Sequence, residues 1–120
     1  MTLKKIKELL KAEVICGHDS LGIEISFAGA SDLMSDVLAF GKPGMLLLTG
    51  LSNLQSVRTA EIIEAKAIVY VRGKMPDKEG IELAKKKGIP ILTTKLMMYT
   101  ACGILYQNLL PGAYVPQENK

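Results

Sequence analysis

Met45-Leu46-Leu47-Leu48-Thr49-Gly50-Leu51-Ser52-Asn53 is the stretch on which the fold turns: an unbroken apolar run, a threonine and glycine, and then a serine ahead of a helical pattern. A run that is apolar at every position belongs to a strand covered on both faces, as in the middle of a parallel sheet between helices. The unit recurs twice downstream. Ala67 to Lys74 is an apolar strand ending in Arg72-Gly73-Lys74, and Ile89 to Thr94 is another ending in Thr93-Thr94. Strand, small polar loop and helix in repeated succession predict one α/β domain, a mostly parallel sheet flanked by helices in three layers. The loops at the carboxyl ends of such strands share a rim, and that is where these sheets collect ligands.

Upstream of that stretch, Leu3, Ile6, Leu9 and Leu10 recur at helical spacing between lysines, with Thr2 placed to cap an amphipathic helix. Ala12 to Cys16 reads as a short strand. Gly22 to Phe27 reads as a second, because Ile23, Ile25 and Phe27 alternate with Glu24 and Ser26. Ser31 or Asp32 is expected to cap the next helix, whose apolar face is Leu33, Met34, Val37 and Leu38 and which Gly41 and Pro43 stop.

Downstream, Ser52 and Gln55 stand at capping-box spacing for a helix to about Glu64, and Pro76 with Asp77 opens another that Gly88 ends. The lysines at 85, 86 and 87 favour the negative end of that helix and need no ligand to explain them. The last helix, Lys95 to Asn108, is apolar around most of its circumference. The sheet can cover one side only, so a second copy of the chain is expected on the other, through Met97, Met98, Ala101, Ile104 and Leu105. The domain is expected to span residues 1–110, with residues 111–120 as a loosely attached tail.

Composition narrows the function. The chain has 120 residues and a net charge of +3, and its basic residues are scattered over several helices without forming a stripe. Its six aromatics do not interleave with them, so nucleic acid is not an expected partner. No apolar run is long enough to span a membrane, and the lysines of the first eleven residues interrupt any secretory signal. Cys16 and Cys102 lie far apart among small or apolar neighbours, which suits a reducing cytoplasm.

Chemistry is expected at the rim. Thr49, Gly50, Ser52 and Asn53 join a buried strand to a helix start, where unpaired amides and the positive helix end favour an anion, and Arg58 follows on that helix. Arg72, Gly73 and Lys74 place two cations on the same rim, with Thr93 and Thr94 beside them. Two such cations repel unless an anion or an acidic partner sits between them, which makes a phosphorylated ligand the natural expectation. Nothing resembles a catalytic site. His18-Asp19-Ser20 is a turn sequence, one histidine and two distant cysteines make no metal site, and Gly44 to Gly50 lacks the lysine of a nucleotide-binding P-loop. No cofactor is called for.

The run Leu46-Leu47-Leu48-Thr49-Gly50-Leu51-Ser52-Asn53-Leu54-Gln55-Ser56-Val57-Arg58-Thr59-Ala60-Glu61, then Val69-Tyr70-Val71-Arg72-Gly73-Lys74, then Gly88-Ile89-Pro90-Ile91-Leu92-Thr93-Thr94, resembles a DRTGG domain. That family is similar to the amino-terminal domain of HPr kinase/phosphorylase. Its members accompany CBS-domain pairs in regulatory pyrophosphatases and occur within phosphotransacetylases, as accessory modules. The resemblance implies an α/β domain that dimerises and senses or transmits a ligand signal without carrying its host's chemistry. No binding residue is carried over from the family, so the rim residues rest on their own chemistry.

The expectation is therefore a stand-alone, non-catalytic, homodimeric regulatory domain that takes a nucleotide or other small phosphorylated ligand and signals to a partner enzyme or kinase. The alternative is a pure protein-interaction module, docking through its last helix onto a kinase or metabolic enzyme with no small ligand.

Overall fold

The structure is a computed structural model and describes residues 1–114. Thr2 accepts a hydrogen bond from the Lys5 amide and opens α1 (Leu3–Leu10), which buries Leu3, Ile6 and Leu10 on one face. There follow β1 (Glu13–Cys16), a single 3-10 turn at His18–Ser20, β2 (Ala28–Ala30), α2 (Met34–Phe40) and β3 (Leu46–Thr49). The chain continues through α3 (Leu54–Ile62), β4 (Ala67–Tyr70), α4 (Lys78–Lys87), β5 (Ile91–Thr93) and α5 (Met98–Gln107). The strands form one sheet in the order β1-β5-β4-β3-β2, with β2 to β5 parallel and β1 antiparallel to β5.

Side-chain alternation along the strands sorts the core into two halves. Leu47, Ile68, Tyr70 and Ile91 point to one face and pack with Val37 of α2, Val57 and Ala60 of α3 and Ala84 of α4. Leu46, Leu48, Val69 and Leu92 point to the other, against Ile6 and Leu10 of α1 and Ala101 and Leu105 of α5. Three crossover helices thus share one face and the two end helices cover the opposite one. This is the three-layer, mostly parallel architecture expected from the repeated units.

Helix ends follow local chemistry. Asp77 accepts from the Gly80 amide to start α4, and Gly88, at φ 70°, ends it in a left-handed conformation open to glycine without steric cost. The last-turn lysines are a helix terminus, with Lys87 3.0 Å from the Glu61 carboxylate.

Four local expectations are corrected. Gly22 to Phe27 is not a strand of the sheet: it lies along the first residues of the chain, where Ile25 N–H donates to Met1 O and Leu3 N–H to Ile23 O. Its alternation is real, since Ile25 is buried and Glu24 and Ser26 are exposed, but it serves α1 and not the sheet. The strand is the small-residue run Ala28-Gly29-Ala30, packed so tightly that a Cβ on Gly29 would stand 2.6 Å from the Met45 methyl. α2 starts at Met34 with no side-chain cap, and α5 starts at Met98, later than Lys95. α3 is capped by Asn53, which accepts from Ser56 N–H, so the Ser52–Gln55 pair does not form the expected box.

Residues 111–114, the described part of the expected tail, lie against the body. Ala28 N–H donates to Pro111 O and Ala113 N–H to Ala28 O, and the Tyr114 ring rests 5.1 Å from that of Phe40. Residues 115–120 lie outside the described residues.

Candidate functional site

The rim exists. β3 ends at Thr49 and β4 at Tyr70, side by side in parallel register, so the Thr49-Gly50 and Val71-Arg72 turns emerge at the same edge. Tyr70 anchors the α3 side of that edge from below. Its fully buried hydroxyl lies 2.7 Å from Ser56 Oγ, whose own proton goes to Asn53 O at 2.7 Å, so Tyr70 is the donor of the pair. Burial pushes the phenol up to about 12, and it stays protonated as that donor.

Across this edge three donors converge on one carboxylate. Gly50 N–H donates to Asp32 Oδ1 at 2.6 Å, Thr49 Oγ1 donates to the same oxygen at 3.2 Å, and Arg72 Nη1 donates to Oδ2 at 3.3 Å. Arg72 Nη2 also donates to Gly50 O at 3.2 Å, so the guanidinium straddles the β3 turn. There is room for it only because position 50 is a glycine: a Cβ there would lie 2.6 to 3.0 Å from the guanidinium atoms. Arg72 itself sits at φ 60°, a left-handed conformation that an arginine adopts at a cost of about 1–2 kcal/mol. Its amide and that of Gly73 are tied to Leu96 O and Thr94 O, both at 2.8 Å, which holds the turn in place.

Asp32, expected only as a candidate helix cap, completes this cluster. It follows β2 as Gly50 follows β3 and Arg72 follows β4. Placing the strand at Gly22 to Phe27 moved the carboxyl end of β2 several residues too early and took Asp32 off the rim. It also answers the argument from repelling cations, since the acidic partner of Arg72 is built into the chain.

The other expected site residues divide into separate groups. Thr94 is buried and donates to Leu10 O at 2.7 Å, so its hydroxyl joins β5 to α1. Thr93 Oγ1 donates to Lys74 O, holding the strand end to the β4 loop. Gly73, Thr93 and Thr94 also line a cleft of about 470 Å³ with Lys11, Met75 and Lys95, none of the latter three an expected site residue. Ser52 and Asn53 stand at the start of α3, where Asn53 is committed to capping. Arg58 lies apart, in a groove of about 390 Å³ between Leu38 of α2 and Ile62 of α3.

Of the five residues expected to cover α5 with a second copy, Ala101 and Leu105 are buried against the sheet of their own chain. The reason is helical phase. They lie one turn apart on the inward face, and Met98 and Ile104 flank that face half-buried. Tyr99 and Tyr106, two turns apart, point outward from α5, and Met97 and Leu109 are exposed just beyond its two ends, with Tyr99 91% and Leu109 89% exposed.

Both thiols are free, and burial raises the pKa of each. Among the described residues no group of three or more His, Cys, Asp or Glu could hold a metal ion, and no helix is long and apolar enough to cross a membrane.

No protein-family model and no curated protein matches the chain. Among solved structures it is similar to the crystal structure of the CBS and DRTGG domains of the regulatory region of Clostridium perfringens pyrophosphatase, complexed with its activator diadenosine tetraphosphate. The TM-score is 0.72 at 24% sequence identity, over 98% of this chain and 51% of that one. This chain therefore spans about half the length of that regulatory region. The likeness is one of fold, in keeping with the DRTGG-like pattern of the sequence.

Proposed function

We propose that this chain is a non-catalytic regulatory domain of the DRTGG type that holds a small phosphorylated molecule at the carboxyl rim of its sheet. The observation that carries this is the convergence of the Gly50 amide, the Thr49 hydroxyl and the Arg72 guanidinium on one oxyanion, a donor set that suits a phosphate as well as it suits the Asp32 carboxylate. The solved pyrophosphatase regulatory region supports the ligand class, because it shares the fold and is complexed with a dinucleotide activator. No residue pair on the rim has the nucleophile-and-base arrangement of an enzyme.

The output is a partner protein, reached by a homodimer in the cytoplasm, where free thiols persist. The exposed row formed by Tyr99 and Tyr106 on α5, with Met97 and Leu109 just beyond the helix ends, is the surface for the second copy, and Met98 and Ile104 form its border. The same row favours the second reading, in which α5 docks onto another protein and the rim holds nothing.

Calorimetric titration of the full chain with diadenosine tetraphosphate and with inorganic pyrophosphate separates the two. Saturable heat, with a matching rise in melting temperature, is the expected result. A flat titration with both compounds leaves the docking module as the function.

A further inference from the structure

We propose that Asp32 is an internal occupant of the rim's anion seat, and that a ligand phosphate binds by displacing it from Gly50 and Arg72. The inference rests on the ligand-sensing function proposed above and adds its regulation.

A seat for an oxyanion needs donors that are fixed before the ligand arrives, and here they are. Thr49 is wholly buried at the end of a central strand, its hydroxyl also accepting from Leu51 N–H at 3.1 Å, so it stays in place whether or not Asp32 does. Gly50 follows it directly. Arg72 is held by its backbone bonds to the loop after β5 and by its second nitrogen on Gly50 O. The Gly50 amide and the Thr49 hydroxyl are placed by the strand end without Asp32, and the Arg72 guanidinium keeps its bond to Gly50 O when Asp32 leaves.

Asp32 is held less firmly. It stands in the loop between β2, an edge strand, and α2, which starts without a side-chain cap. Its side chain is 45% exposed and that of Arg72 37%, so the ion pair is screened by water and weak. A phosphate carries more charge than a carboxylate and offers three acceptor oxygens, so it can use the amide, the hydroxyl and the guanidinium at once. With Asp32 in place, however, it meets a like charge in the seat. The carboxylate thus sets the threshold concentration at which the rim fills.

The test is titration of the full-length wild type, Asp32→Asn and Asp32→Ala with inorganic pyrophosphate, alongside thermal melts that verify folding. Asp32→Asn keeps an acceptor for Gly50 N–H while removing the charge. Tighter binding of pyrophosphate by the folded variants, about fivefold or more, is expected. In the wild type, the Asp32 side-chain carboxyl carbon resonance should shift as pyrophosphate is added, a readout that needs no variant. Wild-type binding with unchanged or weaker affinity in Asp32→Asn, or with a carboxyl resonance unmoved at saturation, overturns the displacement and leaves the ligand-sensing function standing. Absence of binding by the wild type and both variants overturns the two together.

Discussion

Leu47→Ala should destabilise the domain by about 3–5 kcal/mol, and Leu48→Ala should do the same although the two side chains point in opposite directions. Both leucines belong to β3, next to the β2 edge strand, and neither exposes more than 1% of its surface. Leu47 packs into the layer formed by α2, α3 and α4, and Leu48 into the layer formed by α1 and α5. Each truncation leaves a cavity in a different half-core. Because a domain of this size has only about 5–15 kcal/mol in hand, either variant removes a large share of its stability. Denaturant unfolding monitored by circular dichroism measures the effect. Equal losses are the mark of a sheet covered on both faces, whereas a Leu48→Ala variant as stable as wild type would mean that α1 and α5 do not close over that face.

Arg72→Ala should reduce affinity for a phosphorylated ligand by one to two orders of magnitude, the equivalent of about 1.5–3 kcal/mol for a hydrogen bond to a charged group. It should do so with little loss of stability. The ion pair with Asp32 is exposed and contributes about 1 kcal/mol at most, and alanine keeps the backbone bonds from positions 72 and 73 to the loop after β5. Gly50→Ala is the companion test, since its Cβ occupies the space of the guanidinium and would push Arg72 off the seat without removing its charge. Loss of binding in both variants, with melting temperatures near wild type, locates the ligand between the β3 and β4 turns. Undiminished binding by either would move it elsewhere, with the cleft beside Lys11 and Lys95 the next place to look.

The central strands were legible in the sequence because the signal there is local. Leu46 to Leu48, Ile68 and Val69, and Ile91 and Leu92 are apolar at consecutive positions, which only a doubly covered strand requires. The edge was not. Ala28-Gly29-Ala30 carries no hydrophobic pattern, and its place in the sheet is set by a tertiary fit to Met45 and to the Gly112 segment. A far clearer alternation just upstream belongs to a segment that pairs with the amino terminus.

The rim was legible in outline for the same reason and incomplete at the same point. Arg72, Gly50 and Thr49 follow strands that the sequence marks, and they do meet. Asp32 follows the strand that it does not mark, so the group that completes the cluster was read as a helix cap. Thr94 shows the converse limit: its position after β5 was right, but its hydroxyl turns inward to Leu10 O, and spacing carries no information on which way a side chain faces. On α5, composition required a cover beyond the sheet, while only helical phase shows that Ala101 and Leu105 lie beneath and Tyr99 and Tyr106 outside.

The topology also explains the form of the rim. β2 to β5 are added in one direction across the sheet with their crossover helices on one face, so the parallel strands have no reversal of order at which a deep crevice would open. Binding at such an edge depends on side chains and turn amides reaching across it, as Asp32, Gly50 and Arg72 do.

The most direct measurement is amide chemical-shift mapping of the full chain during titration with diadenosine tetraphosphate. The rim account predicts that the largest shifts fall on Gly50, Leu51, Arg72 and Gly73, at the carboxyl ends of β3 and β4, while Gly44 and Ile89, at the opposite ends of the strands, stay still. Shifts concentrated on Gly44 and Ile89, or confined to α5, would contradict it.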